Sequence, residues 1–286
     1  MILSKTIFKR FYFILFVINY GFQVQGQQKI IDDNVIEVVI PSKKMNKSHK
    51  ALVFLPEDYQ KNTKHYPVVY LLHGYSGNYL NWYKREPRLK EYATQYNMII
   101  VTPEGNYDSW YIDSPIDKTS QYESYIGLEV PRWIDTHFRT RSSFRQRAIS
   151  GLSMGGNGAL CIATDYPGIF GAASGISSPV DLRKYPDKWN LKKIIGDIYK
   201  YPMYWFKSSF AGKALMIQKN YRQAFLLDCG VDDTFYEDNE KMHKQLLSFG
   251  IKHDFFIRPG GHSWDYWRNA LPYHLLFFKN FFEKKQ

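Results

Sequence analysis

Ile149-Ser150-Gly151-Leu152-Ser153-Met154-Gly155-Gly156-Asn157-Gly158-Ala159 is the stretch from which the architecture of the chain can be read. It holds G-x-S-x-G directly after a strand-like run, Arg147–Ser150, and directly before an apolar helical pattern, which is the context this motif needs. A serine on so sharp a turn projects its hydroxyl above a sheet, and the flanking glycines stand where any side chain would collide with neighbouring backbone. The helix that follows points its N-terminus at the same spot, so backbone N–H groups are available for a developing oxyanion. A Gly-rich strand-to-helix turn can also cradle a phosphate, but neither a following Lys-Ser/Thr nor a G-x-G-x-x-G register accompanies this one.

A serine hydroxyl is a weak nucleophile until a base takes its proton, and the base needs an acid to orient it. Downstream, Leu226-Leu227-Asp228-Cys229-Gly230-Val231-Asp232-Asp233 reads as a strand followed by a loop with two acids. One helix and one strand later comes Arg258-Pro259-Gly260-Gly261-His262-Ser263-Trp264. Ser153, an acid and His262 therefore fall in that order at the carboxyl ends of three strands, where loops converge. His262 is the best placed of the eight histidines. Asp233, three residues after Gly230, is the better placed acid, whereas Asp232 suits a helix cap or solvent.

Upstream, Leu71-Leu72-His73-Gly74-Tyr75-Ser76-Gly77 is a strand running into a His-Gly loop. The backbone N–H of Tyr75 can join that of Met154 to form an oxyanion hole. His73 is expected to brace the loop by hydrogen bonds. With no second His or Cys at ligand spacing, neither a metal site nor a cofactor is expected.

Around these motifs strands and helices alternate. Runs at Val35–Ile40, Ala51–Leu55, Val68–Leu72, Met98–Thr102, Arg147–Ser150, Phe170–Ser174, Phe225–Asp228 and Asp254–Arg258 read as strands, the first two as an antiparallel hairpin at an edge. Near-continuous apolar runs such as Val68–Leu72 suit a parallel sheet covered on both faces. Helical spacing appears over Tyr122–Phe138, where Pro131 must kink the helix or mark its true first turn, and over Phe235–Phe249, closed by Gly250. Trp264–Lys285 is the last helix, expected to pack across the sheet. The fold class is α/β, a mostly parallel central sheet with helices on both faces. The stretch 179–220 breaks the rhythm with one amphipathic helix (Leu191, Ile194, Ile195, Ile198) and an aromatic group of Tyr199, Tyr201, Tyr204, Trp205 and Phe206. It is either a lid or substrate wall, with Trp205 the residue of that wall, or a surface excursion packed on its own side chains.

The 286 residues are 44% hydrophobic and 23% charged, ordinary globular usage that excludes a disordered chain, a collagen-like fibre and a multi-span membrane protein. A net charge of +11 without basic runs gives little reason to expect nucleic acid as a partner. Residues 1–26 read as a secretory signal peptide: basic Lys9-Arg10, an apolar run from Phe11 to Ile18 and a small-residue site at Val24-Gln25-Gly26. The run is shorter than the ~20 residues that a membrane helix requires. The expected mature protein is therefore residues 27–286, secreted or periplasmic, with no stable membrane insertion. Cys161 and Cys229 lie in apolar surroundings and are expected to be free thiols.

Taken together, His73-Gly74, Gly151-Leu152-Ser153-Met154-Gly155-Gly156, Cys229-Gly230-Val231-Asp232-Asp233 and Gly260-Gly261-His262-Ser263-Trp264-Asp265-Tyr266-Trp267 resemble the putative esterase (esterase D-like) family over Val35 to Phe282. That family groups feruloyl and acetyl-xylan esterases, tributyrin-type esterases, S-formylglutathione hydrolases and mycolyltransferases. The block Ser109-Trp110-Tyr111-Ile112-Asp113-Ser114-Pro115 looks like its small-ester and polysaccharide-ester members. The resemblance implies an α/β-hydrolase fold, a triad of Ser153, Asp233 and His262, and oxyanion donors at Tyr75 and Met154. The leading expectation is a secreted serine esterase acting on acetyl or feruloyl groups of polysaccharide, with Trp110, Tyr111 and Trp264 as substrate contacts. The other readings are an S-formylglutathione hydrolase-like thioesterase, an acyltransferase and a catalytically silent carbohydrate-binding protein.

Overall fold

The computed structural model describes residues 28–217 and 221–284. The segment read as a signal peptide lies outside the described residues, as do the last three residues of the 179–220 stretch. A nine-stranded sheet runs through the described residues in the order β1-β2-β3-β5-β4-β6-β7-β8-β9. Its strands are β1 Gln28–Asp32, β2 Val35–Ser42, β3 Lys47–Phe54, β4 Val68–Leu72, β5 Ile99–Pro103, β6 Arg147–Gly151, β7 Ala172–Ile176, β8 Ala224–Gly230 and β9 Asp254–Arg258. The pairs β1–β2, β2–β3 and β3–β5 are antiparallel, and every pair from β5–β4 to β8–β9 is parallel. The expected edge hairpin is present as β2–β3, but β1 forms the true edge. Its sequence, Gln-Lys-Ile-Ile-Asp, is half polar and exposed along most of its length, so it carries no buried-strand signature.

Alternation along each strand feeds two cores. In β4, Val68, Tyr70 and Leu72 join the core beneath the helix Met154–Asp165, while Val69 and Leu71 face the core beneath the helix Trp264–Glu283. Both faces are thus covered, which is why the central strands are continuously apolar.

The Tyr122–Phe138 pattern resolves into a helical turn at Tyr122–Ser124, a π-helical turn at Tyr125–Glu129 and a helix at Val130–His137. Pro131 stands in the first turn of that last helix, directly after the π-helical turn. The helix read at Phe235–Phe249 spans Tyr236–Ser248 and ends at Gly250 with φ +71°. In the 179–220 stretch the amphipathic helix is shorter than expected, Leu191–Ile195, because Gly196 at φ +92° stops it before Ile198. The aromatic residues there do not gather into one group: Tyr199 is 92% exposed, and Trp205 is fully buried with its Nε1–H donated to Gly196 O at 3.1 Å. Both Cys161 and Cys229 are buried free thiols, and burial pushes the Cys161 thiol up to about 12, so neither offers a thiolate nucleophile.

Candidate active site

Ser153 sits on the turn between β6 and the helix Met154–Asp165 with φ +52° and ψ −120°, a conformation that costs energy for a residue with a Cβ. The turn is held by Ser153 N–H donating to Ile176 O at 2.8 Å. It also requires Gly155: a Cβ there would lie 2.5 Å from the His73 carbonyl oxygen, so any side chain would separate the helix start from the end of β4.

The ends of β8 and β9 supply the other two groups. A Cβ on Gly230 would fall 2.0 Å from Gly260 O, so the glycine is what lets these two loops touch. The backbone of Asp232 completes the junction by donating its N–H to Gly260 O at 3.0 Å, while its carboxylate is exposed and caps nothing. The acid that faces the site is Asp233, whose N–H donates to Gly230 O at 3.1 Å and whose Oδ1 accepts from Phe235 N–H at 2.9 Å. His262 Nδ1 lies 3.0 Å from Asp233 Oδ2 and 3.2 Å from Oδ1, and His262 Nε2 lies 3.0 Å from Ser153 Oγ. A continuous chain of hydrogen bonds therefore runs from Asp233 through His262 to Ser153. Burial alone would raise the Asp233 carboxyl, but hydrogen bonds from His262, Phe235 N–H and Ser177 hold it below its ordinary value, so it stays ionised.

The loop after β4 closes the other side. His73 Nδ1 lies 2.9 Å from Gly74 O, and Nε2 accepts from Gly105 N–H at 2.9 Å, which places the ring proton on Nδ1 and braces the loop as expected. Gly74 packs directly on the turn of Leu152 and Ser153. The amides of Tyr75 and Met154 flank this turn, and among the described residues neither donates to a protein acceptor. Two free N–H groups beside a serine hydroxyl can stabilise a developing oxyanion.

Above Ser153 opens a cavity of about 500 Å³. Trp110 and Trp264 line it, as the sequence suggests. Tyr111 does not: it is 1% exposed, and its hydroxyl accepts from His73 N–H at 3.0 Å and donates to His73 O at 3.1 Å. It is a strut under the loop after β4, while its neighbour Trp110 lines the cavity; both residues adopt positive φ, +54° and +56°. From the 179–220 stretch the residue in the wall is Trp189, whose backbone carbonyl accepts from Trp110 Nε1–H at 3.0 Å. Trp205 is packing inside that excursion, not wall. Sequence reasoning also missed Phe235, Ser177 and Trp267. The first and last stand edge-on to His262, at 5.1 and 4.9 Å between ring centroids. Their signal lay in the immediate neighbourhood of Asp233 and His262.

Residues 42–278 match the family model described as "Putative esterase". The chain belongs to the putative esterase family. The esterase is 27% identical over 264 residues to an acetyl esterase of Caldicellulosiruptor saccharolyticus, an alignment covering 83% of this chain and 95% of the relative. It is 26% identical over 253 residues to the S-formylglutathione hydrolase of Bos taurus, covering 78% and 81%. A solved ferulic acid esterase superposes with a TM-score of 0.74 at 26% identity, over 90% of this chain and 99% of that one. The fold is that of the α/β-hydrolase esterases, and the esterase is a carboxylic-ester hydrolase.

Proposed function

We propose that this esterase is exported and cleaves short or aromatic acyl esters, acetyl or feruloyl groups on polysaccharide among them, through an acyl-enzyme formed on Ser153. The observation that carries the reading is the hydrogen-bond chain Asp233–His262–Ser153 beneath an open cavity. His262 Nε2 takes the Ser153 proton as Oγ attacks the ester carbonyl, and Asp233 holds the ring in that tautomer and stabilises the imidazolium. The amides of Tyr75 and Met154 receive the oxyanion. Collapse of the tetrahedral species expels the alcohol, which takes its proton from His262, and water then repeats the sequence to release the acid.

Substrate size follows from the walls. Trp189 and Trp264 offer flat, partly exposed apolar surface beside the nucleophile, backed by the buried Trp110 and Phe235, and such surface suits a sugar face or a phenolic ring. A cavity of about 500 Å³ accepts such groups but is short for a long acyl chain. The similarity to an acetyl esterase and a ferulic acid esterase supports the same class. Export rests on the sequence of residues 1–26. The test is release of acetate and ferulate from model esters and from xylan by residues 27–286. Faster cleavage of palmitoyl than of acetyl, butyryl or feruloyl esters overturns the substrate reading.

A further inference from the structure

The lining of the cavity above Ser153 is chemically mixed. Beside its aromatic side chains stand the polar Ser76, Asn81 and Arg85. Among the described residues, Arg85 is the one permanently charged side chain in the lining, and no Asp or Glu lines the cavity. Among the described residues its guanidinium has no ion-pair or hydrogen-bond partner. The nearby acids are already engaged: Glu86 with Arg88 at 3.2 Å, and Asp265 with Arg268.

The backbone that carries Arg85 is anchored. It closes the short helix Asn81–Arg85, whose Trp82 is fully buried with its Nε1–H donated to Leu72 O at 3.0 Å. Asn81 and Arg85 are four residues apart and share one helix face. Asn81 Oδ1 accepts from Asn78 N–H at 2.9 Å, and among the described residues its Nδ2 donates to no protein acceptor. A hydroxyl, an amide N–H and a guanidinium, all donors and none balanced by a carboxylate, thus sit beside the nucleophile. Guanidinium binds carboxylates and sulfates through paired hydrogen bonds.

We infer that Ser76, Asn81 and Arg85 form an anion subsite in this cavity and that the preferred substrates are esters carrying a carboxylate or sulfate, as an acylated acidic sugar does. The inference deepens the proposed function and rests on Ser153 being the reacting residue. The anion sits on either the acyl or the alcohol part of the ester, and two substrate pairs separate these cases: mono-4-nitrophenyl succinate against 4-nitrophenyl butyrate, and 3-acetoxybenzoate against its methyl ester. In at least one pair the wild-type protein at low salt favours the anionic member in kcat/KM by about tenfold, the strength of one charge-assisted hydrogen-bond pair. Arg85→Gln brings that ratio close to one, Arg85→Lys retains part of it, Arg85→Glu reverses it, and added salt erodes it. A ratio that is the same in wild type and Arg85→Gln for both pairs, with the neutral esters still cleaved, overturns the subsite alone. If the folded protein cleaves no ester at all, the proposed function falls and the subsite falls with it.

Discussion

The indole of Trp267 stands edge-on to the imidazole of His262 with ring centroids 4.9 Å apart, and its Nε1–H donates to Ser177 Oγ at 3.1 Å. The Ser177 hydroxyl is in turn one of the groups that hold the Asp233 carboxyl below its ordinary value. One side chain therefore shapes both the face of the base and the partner of the acid. Ser177 is held at φ +52° at the end of β7, a strained position that keeps its hydroxyl under Asp233.

Ser177→Ala removes one hydrogen bond to a carboxylate while keeping the same backbone strain. The expected result is a loss of about tenfold in kcat with KM little changed, since charged hydrogen bonds contribute about 1.5–3 kcal/mol. Steady-state kinetics on 4-nitrophenyl acetate read it. Trp267→Phe keeps the ring edge against His262 but loses the donor to Ser177, and should fall between wild type and Ser177→Ala.

The two neighbouring acids separate cleanly. Asp233→Asn should lower kcat by ~10²–10⁴, because the amide no longer fixes the His262 tautomer. Asp232→Asn should stay close to wild type, since its carboxylate is exposed and only its backbone holds the loop. Kinetics of the two variants side by side would swap the assignment if the losses came out reversed.

The rate should rise with pH from acid conditions to a plateau, because neutral His262 is the base. Asp233 stays ionised across that limb, its folded value being depressed. By linkage it adds stability that is present above the unfolded carboxylate value of about 3.9 and is lost as pH falls through the folded value. A pH profile of kcat/KM beside a pH series of thermal melts checks both, and activity that climbs toward acid pH contradicts the role of His262.

The two tryptophans of the excursion should behave in opposite ways. Trp205→Ala empties a fully buried site and should cost about 3–5 kcal/mol, seen as a lowered Tm. Trp189→Ala opens the cavity wall and should shift the ratio of feruloyl to acetyl ester cleavage with a smaller change in Tm.

The backbone frame was legible because its signals are local. Glycines at 151, 155, 230 and 260 mark strand ends where two chains must approach, and Ser153, Asp233 and His262 follow them at spacings that only a few turns satisfy. What sequence left open depends on rotation about the backbone and on long-range packing. Trp110 and Tyr111 are adjacent and both aromatic, yet one lines the cavity and the other braces the loop after β4. Trp189 and Trp205 lie in the same excursion, yet Trp189 lines the cavity and Trp205 is buried against Gly196. Ser177 is one serine of a Ser-Ser pair, and nothing in its own neighbourhood reports that Trp267 reaches it.

The most direct test of the account is the rate at which Ser153→Ala cleaves 4-nitrophenyl acetate, measured on protein whose melt matches wild type. Loss of the nucleophile should lower kcat/KM by ~10³–10⁶, leaving only what the oxyanion donors and the cavity contribute. A folded Ser153→Ala protein that retains wild-type turnover would contradict the assignment of Ser153 and, with it, the mechanism built on His262 and Asp233.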